Sequence, residues 1–391
     1  MPPAGAMRHA ARGREPVDMT SITSVRGPRA AAIPLDRALR RLTAVLGALA
    51  FATGVLWVAL PALGPYGTDL APVSQLGWPE GAGDVAAAAL QAIAGAVLCA
   101  VALFSRRGSG AGAGLALAAA IAIGVGLVGF DGIPVAGYSF AFLVPIGAAA
   151  ALVAFAVRRP VVGVPVLAVA ATLLVLGQAT GILRLPDFYV GFVGAMADDA
   201  VRFWSCLALV LLAGVSGLWA ARDIGRRAAR AGAFVERHRV AFAVAAAACA
   251  LPYVIARASW LTPWPLFGGG AEAFAEEPLV RTIGLMLGAA MLAGGVLTLG
   301  LVMPWGTTFP RWVPGVGGRP VPVPLAVVPA AIVAALFTAG GIQLLALALS
   351  SPVSGNGLPS WAMAVVLPFW AWGPLLALAT WGYARHRAAS E

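Results

Sequence analysis

The sequence predicts an all-α polytopic integral membrane protein, a helical bundle of about ten transmembrane helices. Three observations predict it. The 391-residue chain is 60% hydrophobic, only 11% charged, and has a mean hydropathy of +0.89. A soluble domain carries about 25% charged residues, so lipid must cover most of this surface. The apolar runs each approach the roughly 20 residues that cross a bilayer as helix. The loops between them alternate between arginine-rich and arginine-poor, as the positive-inside rule requires.

Residues 1–36 are polar, rich in Arg and broken by Pro and Gly, which predicts a disordered cytoplasmic tail. The first apolar run, Leu42 to Leu63, lies too deep and is too long for a secretory signal. It reads as a retained helix, followed by a loop with Asp69, Glu80 and Asp84 and no arginine. The second run, Val85 to Phe104, ends at Arg106 and Arg107, and the third, Gly112 to Phe130, ends at Asp131. The fourth, Tyr138 to Val157, ends at Arg158 and Arg159. The fifth, Val161 to Leu183, opens onto a loop with Arg184, Asp187, Asp198, Asp199 and Arg202. The sixth, Phe203 to Ala221, runs into the most basic loop, with Arg222, Arg226, Arg227, Arg230, Arg237 and Arg239.

Four more follow. Val240 to Ala256 leads to a long loop rich in tryptophan and acid. Thr282 to Val302 ends at PWGTTFPRWVPGVGGRPVPVP, and Leu325 to Leu349 at SSPVSGNGLPS. Trp361 to Tyr383 ends at Arg385, His386 and Arg387, leaving 384–391 as a second cytoplasmic tail. Every second loop from the N-terminus is arginine-rich, so an even number of spans places both termini in the cytoplasm of a plasma-membrane protein. Tryptophans such as Trp57, Trp78, Trp204, Trp361 and Trp381 fall near the expected span ends, where amphipathic rings prefer to sit.

Residues 37–383 thus form one transmembrane domain. Within it, 37–159 and 239–383 read as two parallel four-helix repeats, with 161–221 as linker helices; a five-plus-five inverted repeat is the competing parse. Gly284 and Gly288 form a small-xxx-small pair that would let helices approach closely.

The net charge of +10 comes from arginine alone, because the chain has no lysine. These arginines lie in loops, so they point to the bilayer as partner and away from nucleic acid. Cys99, Cys206 and Cys249 are far apart, and His9, His238 and His386 lie in polar segments. No catalytic, metal or cofactor set is predicted, and the reading is non-catalytic.

Two loops carry the candidate chemistry. The loop after the seventh run offers an external ligand site: Arg257 and Arg281 bracket it, Trp260 and Trp264 supply rings, and Glu272, Glu276 and Glu277 supply charge. The commoner reading of such groups is that the rings anchor the interface and the ions pair with one another in water. The loop after the eighth run, with Trp305, Arg311, Trp312 and Arg319, offers a cytoplasmic docking loop stiffened by proline. Its string W-G-x-x-F-P-R-W-V-P followed by G-R-x-V-P resembles a family of uncharacterised actinobacterial multi-pass membrane proteins. The resemblance covers mainly residues 240 to 383, including LTPWPLFGG, and implies membrane class and lineage without any catalytic residue.

Two functions fit these features. One is transport or handling of a small amphiphilic or lipid-like molecule, for which a mid-membrane polar cavity should reach Gln91, Gln178 or Gln343. The alternative is a non-catalytic scaffold or assembly subunit that docks a membrane protein partner through the Pro/Trp/Arg loop. An intramembrane enzyme would need Asp198 or Asp199 to meet Glu272, Glu276 or Glu277.

Overall fold

The computed structural model describes residues 32–66, 71–79, 81–106, 109–129, 132–350 and 359–390. Ten of its helices are long and apolar enough to cross a membrane: α1 Leu35–Ala59, α2 Ala82–Phe104, α3 Gly110–Val128, α4 Gly132–Arg158, α5 Pro160–Ala179, α6 Ala200–Gly225, α7 Arg239–Leu261, α8 Pro278–Leu299, α9 Val323–Ser350 and α10 Trp361–Ala389. The protein is an all-α polytopic helical bundle. Lipid offers no partner for backbone N–H and C=O groups, so each span closes its own hydrogen bonds as a helix.

Two spans are interrupted at a proline, which removes a backbone donor, while Pro145, Pro165, Pro329 and Pro374 lie inside unbroken helices. Pro252 breaks α7 after Ala248, and Pro368 divides α10 into Ser360–Val366 and Phe369–Ser390. The last turns of α3, Ala122–Val128, widen into a π-helix and stop at Gly129, whose φ of 50° suits glycine.

The core runs through α1, α2, α3, α6, α7, α9 and α10. Span α6 is central and largely buried, while α5 is almost wholly exposed and packs chiefly against α4. The closest pairs are α1 with α2 and α9 with α10. The third and fourth spans do not pack as a hairpin, whereas the ninth and tenth do along much of their length. The segments 37–159 and 239–383 therefore pair their helices differently.

Three boundaries differ from those read in the sequence. The first helix reaches back to Ala32, so the last residues assigned to the N-terminal tail are helical. The final helix continues to Ser390 through the residues assigned to the second tail. The loop after α5 is an amphipathic helix, Leu185–Asp198, started by Pro186 and seating Phe188 against α4 and α8. Residues 1–31, Asp69, Glu80, Arg107 and Asp131 lie outside the described residues.

Candidate functional site

The arginine-rich segments meet at one end of the bundle. Arg40 of α1 donates from Nε and Nη2 to the Ala102 carbonyl (3.2 and 2.9 Å) and from Nη2 to that of Ser105 (2.8 Å). It thereby satisfies the last carbonyls of α2, and its cation lies 5.4 Å from the Trp219 ring of α6. Asp36 accepts from Arg222 Nε at 2.9 Å and from Arg226 Nη1 at 2.6 Å. Asp223 accepts from Arg226 at 2.7 Å and faces Arg227 at 3.7 Å. Burial alone would lower the Arg226 pKa, but Asp223 and Asp36 outweigh it and raise it, so Arg226 stays charged.

This end holds a cavity of about 1000 Å³ between α1, α2, α3 and α6. Arg37, Arg40, Arg41, Arg106 and Arg226 line it, against Asp36 and Asp223. Both carboxylates are already taken by Arg222, Arg226 and Arg227. Arg37, Arg41 and Arg106 are exposed, and among the described residues their side chains meet no carboxylate and make no hydrogen bond. Three uncommitted guanidiniums thus open on one cavity. The nearest signal in the sequence is the run Asp36, Arg37, Arg40, Arg41 at the start of an apolar stretch.

A second cavity, about 590 Å³, lies between α3, α6, α9 and α10. Its wall is mostly Ala, Gly, Val and Leu, and includes the π-helical turn of α3. The lining hydroxyls of Thr338 and Thr380 already donate to Ala334 and Leu376 within their own helices. Arg222 is the charged residue on its wall. Gln91, Gln178 and Gln343 line neither cavity. Gln91 instead ties α1 to α2, donating to Ala50 O (3.0 Å) and Thr53 Oγ1 (2.7 Å) and accepting from Tyr66. Neither of these two cavities is the mid-membrane polar one reaching these glutamines that a carrier would use.

The structure gathers only part of the loop after α7. Trp260 is 3% exposed and donates Nε1 to Leu266 O at 2.8 Å. Its ring lies 4.1 Å from the Arg257 cation and 5.2 Å from the Phe274 ring, and Arg281 lies 4.3 Å from Phe274. Gly284 and Gly288 leave room for Trp260 and Arg257 rather than for a helix backbone. Trp264 points away, 78% exposed. Glu272, Glu276 and Glu277 are exposed and form no ion pair with Arg257 or Arg281, because the arginines stack on rings instead.

The loop after α8 is a folded hairpin. Phe309 N and Gly318 N donate to Arg319 O (3.0 Å) and Phe309 O (2.9 Å). Tyr383 and Arg387 of α10 clamp it at Gly306 O (2.9 Å) and Val321 O (3.3 Å). Trp305 covers Gly300, and Trp312 stacks edge-on against Phe155 at 5.7 Å. Arg311 and Arg319 stay exposed.

Asp199 pairs with Arg202 at 3.6 Å and Asp187 with Arg184 at 3.9 Å. Among the described residues no three of His, Cys, Asp and Glu converge. Cys99, Cys206 and Cys249 form no disulfide among the described residues. Comparison with family models, curated proteins and solved structures gave no match to this chain.

Proposed function

We propose that this membrane protein binds and handles an amphiphile with an anionic headgroup. The observation that supports this reading is the convergence of Arg37, Arg41 and Arg106 on one cavity, with no carboxylate among the described residues left to neutralise them. An anionic headgroup supplies the missing charge, and guanidinium forks suit its oxygens. The apolar cavity shares α3 and α6 with the basic one and offers hydrocarbon a place within the bundle.

The protein sits in the plasma membrane, with the arginine-rich end and both termini in the cytoplasm, as the loop charges favour. In a background without native cysteines, Trp264→Cys should label with an impermeant reagent from outside. Labelling from the cytoplasm alone overturns the orientation.

The functional test is purification in mild detergent with mass spectrometry of retained lipid. Wild type should retain anionic over zwitterionic lipid. Combined Arg37→Gln, Arg41→Gln and Arg106→Gln should weaken that retention by about 3 kcal/mol, about 100-fold, at about 1 kcal/mol per charge. These side chains make no hydrogen bond or ion pair among the described residues, so stability should hold. An unchanged lipid complement overturns the reading.

The clamped hairpin with exposed Arg311 and Arg319 supports a second reading, a scaffold that docks a membrane protein through this loop. A protein retained in fixed ratio in the same preparation would carry it.

A further inference from the structure

We infer that the apolar cavity binds one unbranched hydrocarbon chain along α6, with a carboxylate end group at Arg222: a single-chain fatty acid. This rests on the reading that the protein handles amphiphiles, and it names the class that this cavity takes.

The first support is shape. Spans α6 and α9 pack together as a floor, with α3 and α10 as flanks that do not pack closely on each other. The cavity is thus a groove that opens between its flanks. Its lining runs from Val210 to Ala228 on α6 and from Val327 to Ile342 on α9, about 22 to 27 Å at about 1.5 Å per residue. Spread over that length, about 590 Å³ gives a mean cross-section of about 25 Å². One extended alkyl chain fills such a section, and two chains side by side do not fit in it.

The second is the wall. Small residues such as Ala120, Gly124, Ala213, Gly217 and Ala335 keep it open. Thr338 and Thr380 spend their hydroxyls within their own helices. No side-chain donor is therefore left along the lining until Arg222 and Trp381.

The third is that charged end. Arg222 lines this cavity and not the basic one, while Asp36 lines the basic cavity and not this one. Their bond of 2.9 Å stands between the two. Asp36 takes only Arg222 Nε and is shared with Arg226. The two Nη nitrogens of Arg222 make no hydrogen bond among the described residues, and neither is sealed in protein. Trp381 closes the same end, since a Cβ at Gly225, one turn beyond Arg222, would lie 3.2 Å from its Nε1. A guanidinium edge suits a carboxylate. Because this charge ends a groove one chain wide, the end group must be no broader than the chain. A carboxylate meets that limit; a glycerophosphate carrying two chains does not.

The test adds palmitate, and separately its uncharged counterpart hexadecanol, to the delipidated full chain in mild detergent and reads binding by native mass spectrometry. Wild type should bind one palmitate per chain. Gly217→Phe and Ala335→Phe should each abolish palmitate binding by filling the groove. A Cβ at Gly217 meets nothing nearer than Ala120 Cβ at 3.8 Å, so the backbone has room for it. Arg222→Gln should weaken palmitate binding by about 10-fold or more, the loss expected of one hydrogen bond to a charged group. It should leave hexadecanol binding unchanged, which a misfolded bundle would not do. The triple Arg37, Arg41 and Arg106 variant should bind palmitate as wild type does.

Wild-type palmitate binding by Gly217→Phe, Ala335→Phe and Arg222→Gln overturns the inference. If the triple variant still loses anionic lipid, the amphiphile reading stands without it. Loss of two-chain phosphatidic acid instead of palmitate in the groove variants also overturns it, and gives the groove to one chain of a membrane lipid. If the groove variants lose palmitate while the triple variant keeps its lipid, the groove stands and the basic cavity fails.

Discussion

Trp260→Ala should destabilise the protein by about 3–5 kcal/mol, the usual loss for a buried tryptophan cut to alanine. The ring is 3% exposed, fills the space left by Gly269 and Gly284, and stacks against Arg257 and Phe274. Its indole N–H also holds Leu266 O, next to Phe267, a non-glycine residue at φ 53°. Such backbone persists only where its surroundings hold it, so the loop should relax when the donor is lost. Trp260→Phe keeps most of the packing and gives up the hydrogen bond, which costs about 0.5–1.5 kcal/mol. Trp264→Ala, at an exposed position, should stay within about 0.5 kcal/mol of wild type. Thermal unfolding in detergent, followed by size-exclusion chromatography, would rank the three. Equal losses for Trp260→Ala and Trp264→Ala would show that the cluster does not hold the loop.

Gly95→Leu should part α1 from α2, with a loss at or above the usual 1–3 kcal/mol of overpacking. A Cβ at Gly95 would stand 2.6 Å from Phe51 N and 2.7 Å from Gly47 O; one at Gly54 would stand 2.6 Å from Ala92 N. These obstacles are backbone atoms, so no rotamer change relieves them. In lipid there is little hydrophobic gain from joining helices, and close packing supplies much of the attraction. Separation would also pull Gln91 from Ala50 and Arg40 from Ala102. Gly114→Ala, where a Cβ meets nothing within 4 Å, should instead stabilise α3 by about 0.5–1 kcal/mol. The same unfolding assay applies. Wild-type stability of Gly95→Leu would mean that this seam is not tightly packed in the membrane.

Much of the architecture was legible because its causes are local. All ten apolar runs became helices, with ends that moved where charge misled a hydropathy reading. Asp36 looked like part of a polar tail; in the fold it lies in α1 and pairs with Arg222, 186 residues away. The helix Leu185–Asp198 was missed because its apolar face, carrying Phe188, is short and mixed with acids.

The sites were less legible. The tryptophans near the span ends read as one belt, yet Trp57 and Trp260 are buried while Trp78, Trp204 and Trp361 are exposed. The loop after α7 looked like one group of rings and charges. Arg257, Trp260 and Arg281 come together there, and Trp264 and the three glutamates do not. The basic cavity was hidden, because each of its arginines has the ordinary explanation of a positively charged loop.

The sequence by itself determined the number of spans and the alternation of charge between their loops. Both follow from constraints that act on each segment separately: the backbone must satisfy itself in lipid, and charge must stay in the loops. Only the tertiary structure decided which arginines are neutralised and which remain free. Arg222 and Arg226 meet Asp36, while Arg37, Arg41 and Arg106 meet no acid among the described residues. A guanidinium is neutralised by whatever carboxylate stands within about 4 Å, and that neighbour comes from a helix far away in the chain.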